Sequence, residues 1–197
     1  MHNLKVCPME LLKQRILRDG KVLSDHVLKV DNFINHQLDA QLMMSIGIEF
    51  ARRFSYTHAN KILTIEASGI APALMTGYCM GIPVVFAKKT RPCTMDKALE
   101  SRVHSFTKDK DYTISLNPEY IKPGDKVLCI DDFLANGSVA NAMQDLVEQA
   151  GATIVGLGIV IEKAFIDGGK KLREKGLNIE SLVRIESLEG GIIKFVD

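Results

Sequence analysis

The chain has no tryptophan, and aromatic residues make up 6% of its 197 positions. A surface that binds single strands of nucleic acid by stacking needs more rings than that. Charge of one sign is scarce as well: 25 Lys and Arg stand against 24 Asp and Glu, a net charge of +1. That balance offers neither a polyanion-binding face nor a disordered acidic tail. No apolar run is long enough to cross a membrane as a helix, and residues 1–8 lack the apolar stretch of a secretory signal. Residues 1–8 read as an extension with no role in the fold, with Met9 as an alternative start. The four cysteines, Cys7, Cys79, Cys93 and Cys129, lie far apart, with no C-x-x-C pair and no histidine at zinc-ligand spacing. They read as reduced thiols of a cytoplasmic protein. Two nucleotide motifs are missing too. There is no G-x-x-x-x-G-K-[ST], and Gly156 and Gly158 sit in an apolar run without the third glycine and following helix of a dinucleotide fingerprint.

What is present is an alternation. Residues 61–65 form a short buried-strand pattern, 72–80 a helix that Gly81 stops, and 82–87 a second strand. After the turn 122–125 come a strand at 126–130, a helix at 138–150 that buries Val139, Met143, Leu146 and Val147, and a strand at 153–161. A short polar helix at 168–175 and closing strands at 182–185 and 192–196 complete the series. Apolar strands separated by helices predict an α/β fold, a mostly parallel sheet covered on both faces, with ligands outside the carboxyl ends of its strands. The first sixty residues differ: helices at 10–18 and 39–54, the second capped by Asp39, flank a mixed stretch at 28–36 that suits a lid or hood. Residues 88–117 are long and charged, and read as an active-site loop or a small hairpin. The length suits one domain, 1–197, with a hood of about 9–38 plus the C-terminal segment and a core of about 39–165.

The chemistry is concentrated in Val127-Leu128-Cys129-Ile130-Asp131-Asp132-Phe133-Leu134-Ala135-Asn136-Gly137-Ser138. Four apolar residues end in two carboxylates, and a loop of small residues then opens a helix. Amides at a helix start lack intrahelical partners and attract phosphate. Carboxylates only accept hydrogen bonds, so beside a phosphate cradle they suit the donating hydroxyls of a sugar diol. An isolated Asp-Asp pair is ordinarily a strand end or a cap, but here strand, loop and helix agree on a ribose-phosphate site. Glu66-Ala67-Ser68-Gly69-Ile70-Ala71-Pro72 follows the first strand at the same sheet edge, where small residues permit close approach to an anion; a plain strand-to-helix turn fits the same residues. Lys88-Lys89 and Lys163 stand at the ends of two further strands. His26, His36, His58 and His104 show no paired spacing and read as structural or surface residues.

These segments, with 22–25, 35–37 and 158–163, resemble the type I phosphoribosyltransferases, and among them the 6-oxopurine branch that takes xanthine. One departure stands out. Where that family has a T-G-G-T loop, this chain has Asn136-Gly137-Ser138-Val139, so two threonine hydroxyls are missing. The resemblance implies the type I fold with a small N-terminal hood, and xanthine and 5-phospho-α-D-ribosyl 1-diphosphate (PRPP) as substrates. It makes Asp131 and Asp132 the catalytic pair and places the PRPP phosphate at Ala135, Asn136, Gly137, Ser138 and Val139. Diphosphate would lie against Ala67, Ser68 and Gly69, in a loop that often contains a non-proline cis peptide, with Lys88 and Lys89 neutralising it. Leu28, Asn35 and Lys163 would contact the base; Phe165 would lie over it or pack in the core. Magnesium would ride mainly on PRPP and diphosphate, with no certain protein ligand. A homodimer is implied, and neither nucleic acid nor membrane as partner. A hypoxanthine or guanine transferase is the neighbouring alternative. A non-catalytic PRPP-binding regulator is the more distant one.

Overall fold

In the computed structural model, residues 8–91, 97–105 and 110–196 are described. The expectations on Cys7, Cys93 and residues 1–7 lie outside them. Helix α1 (Pro8–Asp19) leads into a hairpin, β1 (Lys21–Ser24) and β2 (Val27–Lys29), then a π-helical turn at Asp31–Asn35 and α2 (Ala40–Arg53). The core follows as β3 (Lys61–Ile65), α3 (Ile70–Met80), β4 (Val84–Ala87), the hairpin β5 (Leu99–Ser105) and β6 (Lys110–Leu116), and β7 (Lys126–Leu134). Then come α4 (Ser138–Gln149), β8 (Thr153–Lys163), α5 (Gly168–Glu174), β9 (Ile179–Ser187) and β10 (Lys194–Phe195). Among the described residues no helix is long and apolar enough to cross a membrane.

The central sheet runs β10-β9-β8-β7-β3-β4, parallel throughout except for β10 at one edge. From β3 the chain steps outward to β4, then returns to the other side of β3 for β7, β8 and β9. The strand order therefore reverses between β3 and β7, where sheets of this kind open a crevice. Both faces are covered. Leu128 and Ile130 pack with α1, α2 and the turn at Phe33 and Ile34. Val127 and Cys129 pack on the other face with Met143, Leu146 and Val147 of α4.

The chemistry-bearing strand departs from expectation. Strand β7 does not stop at Ile130 but runs through both acids to Leu134, because β8 extends to Lys163 and keeps pairing with it as far as Leu134 opposite Glu162. On its other side β7 loses β3 after Leu63 opposite Cys129. Half-paired strand therefore carries Asp131 and Asp132 along one wall of the crevice. Smaller differences follow from partners as well: α3 starts at Ile70 rather than at Pro72, and Ile82 and Pro83 precede β4 instead of belonging to it.

One buried acid fixes α2. Glu49, 4% exposed, accepts hydrogen bonds from Arg52 (2.8 and 3.0 Å) and Arg53 (2.8 Å). The Arg52 hydrogen bonds, working against burial and with help from Arg53, hold its carboxyl down at about 2. A folded pKa below the unfolded one stabilises above the unfolded value, and that gain is lost as pH falls toward the folded one. Thermal melts should therefore show Glu49→Gln less stable at pH 7 by about 2 kcal/mol, with the gap closing between about pH 4.5 and pH 2. A gap of the same size at pH 7 and pH 3 would refute this.

Candidate active site

The two acids alternate along β7, so Asp131 continues the face of Val127 and Cys129, and Asp132 that of Leu128 and Ile130. The carboxyls still act on one another. Burial pushes Asp131 well above the ordinary carboxylate range and the Asp132 charge adds to this; burial raises Asp132 too. Lys89 opposes both shifts. The Asp132 amide donates to Asp131 Oδ1 at 3.0 Å. From the hood, Asn35 Nδ2 donates to Asp132 Oδ2 at 3.2 Å, which joins a residue expected at the base to one expected at the ribose.

The loop after β3 forms the opposite wall. Its Glu66–Ala67 peptide is cis. Glu66 Oε1 accepts the Lys89 amide at 2.6 Å, so the loop carrying Ala67, Ser68 and Gly69 is tied to the basic pair beyond β4. The two lysines part company. Lys89 faces the acid pair electrostatically and lies over the Tyr112 ring, whereas the Lys88 amine stands over Phe86 and its backbone pairs with Ser115, docking the β5–β6 hairpin.

At the far end of β7, Asn136 Oδ1 accepts both the amide (3.0 Å) and the hydroxyl (2.9 Å) of Ser138, closing a small turn ahead of α4. Gly137 has φ +85°, and its carbonyl accepts from the amide and the side chain of Asn141. Ser138 thus keeps a hydroxyl at the loop, while Val139 has none to offer. Helix α5 backs this loop so closely that a Cβ at Gly168 would lie 2.2 Å from Ala135 O and 2.6 Å from Gly137 N.

Lys163, the last residue of β8, donates to the His26 carbonyl at 2.7 Å and lies 5.5 Å from the Phe133 ring centre; burial lowers its pKa. His26 in turn stands 6.1 Å from Phe165, ring to ring. The hairpin turn of the hood is thereby brought to the lysine strand. Leu28 is different: its side chain is buried in the core, beside Ile16 and Val30.

Several residues here were not singled out from sequence. Glu162, 2% exposed, is gripped by Arg173 at 2.7 and 2.6 Å and accepts from Ser181 at 2.5 Å. Burial alone would raise its pKa, but these donors bring it below the ordinary value. An acid inside an apolar strand was the signal available. Glu66, His26 and Asn141 had none, since each acts through a partner distant in sequence. Among the described residues no group of three His, Cys, Asp or Glu could cage a metal ion. Asp131 and Asp132 supply two hard oxygen donors, enough for magnesium only if a substrate fills most of its shell.

No family model matches the chain. Among curated proteins, a xanthine phosphoribosyltransferase of Moorella thermoacetica is 54% identical over 190 residues, covering 96% of this chain and 97% of its own length. The protein of that name from Pseudomonas entomophila is 52% identical over 190 residues, covering 96% and 100%. One from Bacillus cereus is 54% identical over 189 residues, covering 95% and 96%. Among solved structures, an adenine phosphoribosyltransferase from Thermoanaerobacter pseudethanolicus superposes with a TM-score of 0.74, covering 88% of this chain and 99% of its own. Its identity is 21%, so that likeness concerns the fold.

Proposed function

We propose, from the premise that this chain belongs to the xanthine phosphoribosyltransferase family, that its crevice transfers the phosphoribosyl group of PRPP to N9 of xanthine, giving xanthosine 5′-monophosphate and diphosphate. The reaction is that of a glycosyltransferase, on the type I phosphoribosyltransferase fold. The observation that carries the reading is the acid pair, set between two amide-rich loops in a chain 54% identical to an enzyme of that name.

The residues divide the work. Amides of 135–139, with Asn136 and Ser138, hold the 5′-phosphate at the start of α4. Asp131 and Asp132 accept the ribose hydroxyls and face the positive charge that builds on the anomeric carbon as its bond to diphosphate breaks. Lys89 and the amides of Ala67, Ser68 and Gly69 receive the departing diphosphate, which leaves with the bonding electron pair, while Lys88 secures the β5–β6 hairpin beside them. N9 attacks the opposite face and gives up its proton to solvent. Asp131 or Asp132 would be the protein donor to a magnesium ion held mainly by the substrate, and the ion would supply charge neutralisation for the leaving group. The Lys163 amine donates to the 6-oxo group. Leu28, buried in the core, supports the hood from behind, and the hood, through His26 and Asn35, closes the base site. A cation there favours xanthine, which is partly anionic near neutral pH.

Ile48 of α2, Leu74 and Tyr78 of α3 and Phe86 of the edge strand β4 are exposed large hydrophobic residues, which supports a homodimer formed across that edge. The free thiols Cys79 and Cys129 suit a cytoplasmic setting. Steady-state rates with xanthine, guanine, hypoxanthine and adenine test the reading. Xanthine should lead in kcat/KM by about 10-fold or more, the discrimination of one good polar contact. Equal or higher efficiency on guanine overturns the assignment of the base.

A further inference from the structure

We propose that Thr64 is a positioning residue for Asp131, its hydroxyl donating to the Asp131 carboxylate once the ribosyl substrate engages the acid pair. The inference rests on the phosphoribosyl reading above. Thr64 lies in β3 with no exposed surface, and its Oγ1 has no hydrogen-bond partner. Among the described residues one other buried side-chain atom shares that condition, Arg15 Nε, and it sits 2.9 Å from Asp19. Thr64 is therefore the orphan. Packing does not explain it, since valine has the same shape and carries no unpaired hydroxyl.

Its surroundings do explain it. A Cβ on Gly69 would lie 2.2 Å from Thr64 Oγ1 and 3.2 Å from Asp131 Oδ1. The hydroxyl and the carboxyl converge on one point that glycine alone leaves empty. The needs of the two acids also differ. Asp132 receives Asn35 Nδ2 and backbone donors, whereas Asp131, the more deeply buried, takes the Asp132 amide. The titratable groups that act on Asp131 or feel it are Asp132 and Cys129 on β7, Tyr112 on β6 and Lys89 beyond β4. Of these, Lys89 alone is a cation, and in the reading above it turns to the diphosphate. With Lys89 so engaged, the Thr64 hydroxyl is the donor left at the point where it and Asp131 Oδ1 converge, and its hydrogen bond holds that carboxylate in place as positive charge develops on the sugar.

The test uses Thr64→Val and Thr64→Ser in the full chain, with kcat, KM for PRPP and the melting temperature. Thr64→Val should lower kcat about 10-fold, the worth of one hydrogen bond to a charged group, with KM for PRPP held within about twofold. Thr64→Ser should restore kcat. Thr64→Val at wild-type kcat, or Thr64→Ser as slow as Thr64→Val, overturns the proposal. Should Thr64→Val not fold, Thr64→Ala against Thr64→Ser reads the same difference. Wild-type protein that transfers to no purine defeats the phosphoribosyl reading itself, an outcome distinct from active wild type with an indifferent Thr64.

Discussion

Replacing Asp131 and Asp132 together by asparagine should lower kcat/KM for PRPP by at least about 10³-fold and raise the melting temperature at pH 7. Both effects come from the same carboxyls. Asparagine keeps the shape and one acceptor oxygen per residue, so the Asn35 hydrogen bond to position 132 and the Asp132 amide contact survive. It removes the two negative charges that would face the developing cation, an electrostatic contribution that in enzyme sites is worth 10²–10³ for each well-placed group, as an order of magnitude. The stability gain follows from the direction of the shifts. Burial, reinforced for Asp131 by the neighbouring charge, holds both folded pKa values above the unfolded one. A carboxyl so placed weakens the fold, beginning as pH rises through the unfolded value and growing up to the folded one. The melting temperatures of variant and wild type should therefore separate at pH 7 and converge near pH 3. Near-normal turnover would refute the ribose assignment. A lower melting temperature at pH 7 would refute the account of the buried pair.

The parts legible in the sequence share one property: their cause is local. Asp39 caps α2 through the Leu42 amide, and Gly81 ends α3 at φ +68°, because cap chemistry lies within a few residues of the helix it serves. The apolar runs of β3, β7 and β8 are buried strands whichever neighbours they find. The acid pair and its small-residue loop were legible for the same reason. What escaped depends on partners. The β1–β2 hairpin is seven residues of strand with little burial, of which only Leu28 and Lys29 fall in the stretch read as a lid. Strand β7 continues through two aspartates, poor strand formers, because β8 supplies a ladder that no local pattern announces. The hydrogen bonds of Glu162 to Arg173 and Ser181, and the tie from Lys163 to His26, cross 11 to 137 positions of chain. Side-chain function at those positions is a property of the sheet, and the sheet is not written in any one segment.

Gly168 shows how such a distant partner governs the site, and Gly168→Ala should lower kcat/KM for PRPP by about 10²-fold, mainly through KM for PRPP, while KM for xanthine stays within about twofold. The added methyl carbon would lie 2.2 Å from Ala135 O, 2.3 Å from Asn136 C and 2.6 Å from Gly137 N, all backbone atoms of the loop proposed to receive the 5′-phosphate. Something must yield, either α5 or the loop. Helix α5 is held by the two-point grip of Arg173 on Glu162 at 2.7 and 2.6 Å, with Ser181 locking the same carboxylate from β9. The loop has fewer anchors, chiefly the Asn136–Ser138 turn and the contacts of Asn141 to Gly137. It is therefore the loop that shifts, and its amides leave the positions that suit a phosphate; displacements of about 1 Å cost on the order of 10²-fold in such sites. The fold should survive with a loss of about 1–3 kcal/mol from overpacking. Steady-state kinetics with each substrate varied in turn, beside a thermal melt, separate the outcomes. Unchanged KM for PRPP in a folded Gly168→Ala protein would mean that α5 gives way instead, and that the Glu162–Arg173 pair does not hold the phosphate loop in place.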